Sequence, residues 1–384
     1  MDKVELDIRV GAWDTGRMGR LDGLRALAIL GVMLHHYGVQ PVFWLDWGPV
    51  APTVFFMLSG YFITGSLARM RDKGTAAIGR FHLRRLVRLW PALLVLLAAG
   101  YLAGLPEVRE GFFWHALFLT NVKVAVEGIW PGNVSHLWTL GVQQQFYLLW
   151  PLILLLPARM WGAALGVVVL LALGFRLGCL AMQTGEYFRW MMLPGSIDAF
   201  AAGGAVALLV RKHGTNLLRG AGRWFWPACA LGLWAAARAL RWRGGADWPV
   251  AFIDTLEVAC CAICLVALIQ YPRNILSRAL ESRAMRWLGK VSYGLFLWHI
   301  TSVMALGGLL EWAGLLHGEH TLVRAGIFTA ASIVLAAASW HFIEKPCATL
   351  LDAALTKWSP PVKAPGVLGI APPPALPKWD SAGA

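Results

Sequence analysis

Apolar runs of about twenty residues recur from Leu21 almost to the C-terminus, and runs of this length match the thickness of a bilayer when helical. That feature excludes most soluble folds. Charged residues make up only 14% of the 384-residue chain, against roughly a quarter in soluble domains. The runs lack the two-residue alternation of a membrane β-barrel. Twenty-one tryptophans suit the aromatic belts at membrane–water interfaces. The expected fold class is therefore all-α, a polytopic transmembrane helix bundle.

Hydropathy predicts about ten spans, near 21–40, 49–68, 89–105, 135–156, 160–181, 195–210, 224–241, 250–271, 291–314 and 323–343. The loops at 69–88, 211–223 and 272–290 hold clusters of Lys and Arg, whereas 106–134 and 315–322 are poor in them. Arg238, Arg241 and Arg243, near one outer loop, are the exception. The positive-inside rule then puts both termini in the cytoplasm. The formal charge of +13 is read as basic cytoplasmic loops rather than nucleic-acid binding, since no nucleic-acid module is visible.

About twenty fairly polar residues precede the first run and no small-residue cleavage site follows it, so the run is expected to stay as a membrane helix. The expected organisation is a cytoplasmic segment over 1–20, an integral domain over 21–346 and a Pro-rich disordered tail over 347–384. Within 106–134, the stretch FFWHALFL suggests a re-entrant or interfacial helix. Most of the six cysteines lie in apolar runs, against a secreted disulfide framework. Cys261-x-x-Cys264 is read as apolar packing rather than a metal site, because no matching ligand pair accompanies it.

The first run, LDGLRALAILGVMLHHYG, carries Arg25, His35 and His36. Arg25 and His36 are eleven residues apart. At ~100° and ~1.5 Å per residue they share a helix face and lie roughly 16 Å apart, while His35 sits about 80° off that face. Ionisable groups at membrane depth normally face a bundle interior or a wet cavity. The alternative is that Arg25 snorkels to one interface and His36 to the other.

Five segments in order extend this pattern: Arg25 to His36, VFFMLSGYFITGSL (54–67), RRLVRLWPA (84–92), SHLWTLGVQQQFYLLWP (135–151), and GKVSYGLFLWH (289–299) with FIEKP (342–346). SIDAFAAGG (196–204) is a weaker match. Together they resemble the acyltransferase-3 family of integral membrane O-acyltransferases. The resemblance implies transfer of an acyl group, commonly acetyl, from acetyl-CoA or another acyl-CoA to a hydroxyl of a carbohydrate or related acceptor. It also implies a multi-pass protein of the bacterial inner membrane. The acyl-CoA is a donor substrate, and no permanently bound cofactor or metal is expected.

On this reading His36 is the general base, since imidazole titrates near pH ~6.5. Arg25 either stabilises developing charge or binds a donor phosphate. Arg84, Arg85 and Arg88 are the expected donor-phosphate ligands, because guanidinium forks suit phosphate. His136, His299, Gln144 and Asp198 are the expected acceptor-binding residues. Glu344 is expected near the cytoplasmic end of the last helix, in a structural role. One departure stands out: Gln143 and Gln144 occupy positions where the family usually has two glutamates, and an amide cannot take a proton near neutral pH. The competing reading is a transporter or acyl-group conduit without transferase chemistry, although no repeated halves are visible.

Overall fold

The computed structural model describes residues 17–39, 47–71, 75–214, 225–242, 248–271, 274–314 and 321–358. Every regular element among them is helical. In chain order these are α1 (Arg17–His36), α2 (Trp47–Met70), α3 (Thr75–Leu102), α4 (Pro106–Ala116), α5 (Thr120–Glu127), α6 (Leu137–Leu149), α7 (Trp161–Ala181) and α8 (Glu186–Met191). Then follow α9 (Leu193–His213), α10 (Phe225–Trp242), α11 (Trp248–Gln270), α12 (Ile275–Leu280), α13 (Arg283–Lys290), α14 (Ser292–Trp312), α15 (Thr321–Ser339) and α16 (Lys345–Trp358).

Seven helical stretches among the described residues are long and apolar enough to cross a membrane: Val50–Met70, Ala76–Leu102, Ala158–Ala181, Glu186–His213, Ala251–Gln270, Ser292–Trp312 and Thr321–Leu355. The other three expected spans are also helical but weaker by this measure. Charges at Arg17, Arg20, Asp22 and Arg25 interrupt α1. The α-helix α6 stops at Leu149 and continues as a 3-10 turn, Trp150–Leu155, with Pro151 in its first turn. In α10 the apolar part is Phe225–Ala236. Exposed Val167, Leu170 and Leu171 on α7 form the kind of apolar outer face that lipid covers.

The bundle is spined by α2 against α9. A Cβ added at Gly60 would lie 2.0 Å from the Phe200 carbonyl oxygen, and one at Gly203 would lie 1.9 Å from that of Met57. Only glycine lets the two backbones approach this closely, which is how small residues associate membrane helices. Around this crossing Phe200 stacks on Phe56 and Phe146, at ring separations of 4.7 and 4.0 Å. A second close approach seats α1. A Cβ at Gly23 would meet the Leu280 carbonyl oxygen at 2.1 Å, and one at Gly289 would meet that of Asp22 at 2.0 Å. Arg20 adds an ion pair to Glu281 and donates to the Leu268 carbonyl. The short helices α12 and α13 are thereby pressed against the basic end of α1.

The segment 106–134 holds α4 and α5, of 11 and 8 residues, too short to span. Buried His115 ties them together. Its Nε2–H donates to the Glu107 carbonyl at 3.2 Å, so Nδ1 accepts from the Thr120 hydroxyl at 2.9 Å. Burial pushes the His115 imidazole below its ordinary range. At the other end of the chain, a π-helical turn at Trp340–Glu344 joins α15 to α16. The expected boundary at 346 therefore falls inside helical structure that runs to Trp358. The segment ATLLDAALTKW is Pro-free and rich in helix formers. Residues 1–16 and 359–384 of the expected terminal segments lie outside the described residues, as do Lys73, Arg219, Arg223, Arg243 and Arg273 of the loop charges.

Candidate active site

A cavity of about 180 Å³ opens among α1, α2, α3, α6 and α14, with Arg25, His36, Ser59, Arg85, Arg88, His136 and Gln143 in its walls. The 3.6-residue period of α1 puts Arg25 and His36 on this one wall. His35, exposed at the end of α1, also lines it.

At the His36 end three imidazoles converge. His36 Nδ1 lies 2.8 Å from His299 Nε2, and the rings are stacked with centroids 4.9 Å apart. His299 is fully buried, and its Nδ1 lies 2.7 Å from the Phe296 carbonyl oxygen. A carbonyl only accepts, so His299 Nδ1 must carry the hydrogen. Neutral His299 then presents an Nε2 lone pair, and His36 Nδ1 must be the donor. Neutral His36 is left with a bare lone pair on Nε2, the protonation pattern of a general base. The third ring, His136, packs 5.0 Å from His299 and 5.1 Å from Phe296. It is buried, and neither of its nitrogens meets a hydrogen-bond partner. Unpaired buried polar atoms are costly. On a cavity wall they are suited to a ligand.

At the opposite end the cations gather. Arg25 lies over the Phe62 ring at 4.5 Å and pairs with Asp22 at 3.4 Å. The Arg85 guanidinium rests over Phe81 and Tyr147, at 5.6 and 5.2 Å. Arg25 and Arg88 also belong to the wall of a second, larger cavity of about 740 Å³ at the basic end of the bundle. Arg84 lies there too, exposed and paired with Asp352 at 3.1 Å. Glu344 is buried beside the same cavity and accepts a hydrogen bond from Ser339 at 3.0 Å.

Three of the expected acceptor-binding residues are outside the first cavity's walls. Asp198 is completely buried in a pair with Arg176 at 2.6 Å. Arg176 also donates to the Gly195 carbonyl and the Thr255 hydroxyl. This network clamps α7, α9 and α11, so Asp198 is a helix-binding carboxylate. The helical period turns Gln144 away, and Gln143 lines the cavity instead, donating to Ser59. His299 lies behind His36. Sequence reasoning missed Trp130, Trp138 and Trp190, which line the same cavity as His136. Trp138 lies inside the segment SHLWTLGVQQQFYLLWP, whereas Trp130 and Trp190 carry no signal beyond the abundance of tryptophan, which a membrane protein also explains.

Comparison with known proteins bears on this arrangement. A family profile described as "Acyltransferase domain" matches residues 18–341. The chain is 26% identical over 361 residues to the peptidoglycan O-acetyltransferase OatA of Listeria monocytogenes, covering 85% of this chain and 55% of that protein. It is 26% identical over 368 residues to the putative peptidoglycan O-acetyltransferase YrhL of Bacillus subtilis, covering 86% of this chain and 54% of that one. A putative O-acetyltransferase of Staphylococcus aureus is 24% identical over 366 residues, with 86% and 57% covered. The chain thus spans about half the length of the curated relatives it matches. No solved structure matches it.

Proposed function

The chain belongs to the acyltransferase family whose profile matches residues 18–341, and from that premise we propose that it transfers an acetyl group from acetyl-CoA to a carbohydrate hydroxyl, with His36 as general base. The observation that carries this reading is the His36–His299–Phe296 hydrogen-bond chain, which leaves the His36 Nε2 lone pair unused on a cavity wall.

In the step proposed, His36 Nε2 takes the proton of the acceptor hydroxyl as its oxygen attacks the thioester carbonyl carbon. The tetrahedral oxyanion collapses, the C–O ester bond is kept and the C–S bond breaks. The departing thiolate recovers the proton from the His36 imidazolium. Throughout, His299 accepts from His36 Nδ1–H and holds the ring, the part a carboxylate plays beside many catalytic histidines. Arg25 is roughly 16 Å along the helix from His36, so its proposed role is to hold a donor phosphate, together with Arg85 and Arg88. Gln143 and Ser59 offer neutral hydrogen-bonding groups in the same wall. A Gln there is compatible with a mechanism whose base is His36. His136 and the faces of Trp130, Trp138 and Trp190 are the proposed acceptor contacts, since an aromatic face suits the apolar face of a sugar ring. Peptidoglycan, the acceptor named for two relatives, falls in this class.

On the same reading residues 21–346 are the integral unit of a bacterial inner membrane, as the bacterial relatives suggest, and the charge pattern supports a cytoplasmic Arg25 end with His36 toward the outer face. The test is acetyl-CoA turnover by purified protein in lipid with a glycan acceptor, following thiol release. His36→Ala is expected to lower kcat about 10²–10⁴-fold, the usual contribution of a general base. Equal turnover in the two proteins would remove His36 from the chemistry.

A further inference from the structure

The larger cavity at the basic end has walls of uneven charge. Six cations, Arg25, Arg84, Arg88, Arg283, Arg286 and Lys290, face it against three carboxylates, Asp22, Glu344 and Asp352. Two of those carboxylates are already paired, Asp22 with Arg25 and Asp352 with Arg84. Glu344 takes its hydrogen bond from Ser339. Arg88, Arg283, Arg286 and Lys290 are therefore left without an ion pair among the described residues.

The α13 cations are not scattered surface charge. Arg283, Arg286, Trp287 and Lys290 follow the i, i+3, i+4, i+7 spacing of one helix face, a stripe about 100° wide. Ser282 caps the helix by accepting from the Met285 backbone N–H at 3.3 Å. The opposite face carries Met285 and Leu288, which pack inward, and Gly289, at the edge of the stripe, sits hard against the α1 backbone. That packing aims the stripe at the cavity. Two indoles complete the wall: Trp287 is exposed in it, and Lys290 lies 5.1 Å over the ring of Trp340.

The geometry points to this cavity as the anchoring site for the nucleotide head of the donor, with Arg88, Arg283, Arg286 and Lys290 holding its phosphates and Trp287 stacking on its base. This inference rests on the acyl-CoA reading above and adds α13 to it. Charge-assisted hydrogen bonds from unpaired guanidinium groups suit phosphate oxygens. An exposed aromatic face takes a nucleobase. The volume of about 740 Å³ lies within the usual ~300–1,000 Å³ range of small-molecule sites. Arg25 and Arg88 border both cavities, and His36 lies roughly 16 Å beyond Arg25 along α1. A ligand anchored here must reach the base through a long, thin arm, and a coenzyme A thioester has that form.

The test is equilibrium binding of 3′-phosphoadenosine 5′-diphosphate, which lacks thioester and arm, to the full chain in neutral phosphatidylcholine nanodiscs. Removing one charge-assisted contact set should weaken binding about tenfold or more. Arg286→Ala and Arg283→Ala are expected to do so. Arg211→Ala, which deletes a cation at the end of α9 outside the cavity, is expected to leave binding unchanged. Equal weakening by all three would mark general surface charge and overturn the inference. Repeating the titration with anionic lipid separates the other source of phosphate: loss of nucleotide binding there would reassign the cavity to a lipid headgroup. A wild-type protein that consumes acetyl-CoA yet does not bind the nucleotide would refute this site and leave the acyl-CoA reading standing. Nucleotide binding without any acetyl-CoA consumption would support the site and count against the transfer reading alone.

Discussion

At the scale of single residues, the contact between His36 and His299 spans 263 positions of sequence. No local pattern encodes it. The period of α1 was enough to pair Arg25 with His36, because helical geometry depends only on spacing. The expectation of His299 as an acceptor ligand rests on the resemblance, and the apolar run around it says nothing about the direction it faces. The structure supports a positioning role that can be separated from a structural one. His299→Gln keeps an acceptor for His36 Nδ1–H, whereas His299→Leu does not. Leu is expected to lower kcat about 10–100-fold with KM nearly unchanged, by analogy with residues that orient metal-ligating histidines. Gln should recover part of that loss. Equal kcat in the two variants would rule out the hydrogen bond as the reason for His299. Asp198 gives the contrasting case. Arg176→Met would leave its carboxylate buried and unpaired, a destabilisation of about 3–5 kcal/mol. The signature should be a lower unfolding temperature in detergent, with normal turnover by whatever protein remains folded.

Among the elements, helix existence was plain in the apolar runs, while close packing was not. Gly60 and Gly203 sit in SGYF and AAGGA, stretches with small residues that hydropathy treats as merely apolar. Their importance lies in interhelical distances. Gly203→Val would force α2 and α9 apart and is expected to cost about 3 kcal/mol or more, at or beyond the upper end of core overpacking. Gly166→Val on α7, where an added Cβ meets nothing within 4 Å, is the neutral control. Similar unfolding temperatures for the two would contradict the α2–α9 spine. The α4–α5 corner makes a pH prediction. His115 is held neutral, with its imidazole below the usual value. Its contribution is therefore present above the ordinary histidine pKa of ~6.5 and is lost as pH falls through the lower folded value. Amide exchange over 106–127, corrected for intrinsic rate, should show less protection at pH 5 than at pH 8. His115→Gln should flatten that difference.

For the molecule as a whole, the two cavities meet at Arg25 and Arg88 and differ in character. One has aromatic walls and three imidazoles at its far end; the other is lined by cations. Positive-inside counting reads the charges of 272–290 as loop orientation alone, because it ignores which face of a short helix bears them. Only the packing of α13 on α1 turns that charge into a cavity wall. The arrangement demands that the mouths open to opposite sides of the membrane if the donor comes from the cytoplasm and the acceptor is a surface glycan. Asp352 borders the basic cavity, and exposed Ile129 lies in the segment that carries Trp130. In a background with the six native cysteines replaced by serine, Asp352→Cys should react with a membrane-impermeant maleimide only in inside-out vesicles. Ile129→Cys should react only in right-side-out cells. Labelling of both from the same side would overturn transfer across the membrane, and the His36 cavity would then have to receive its acceptor from the face that supplies the donor.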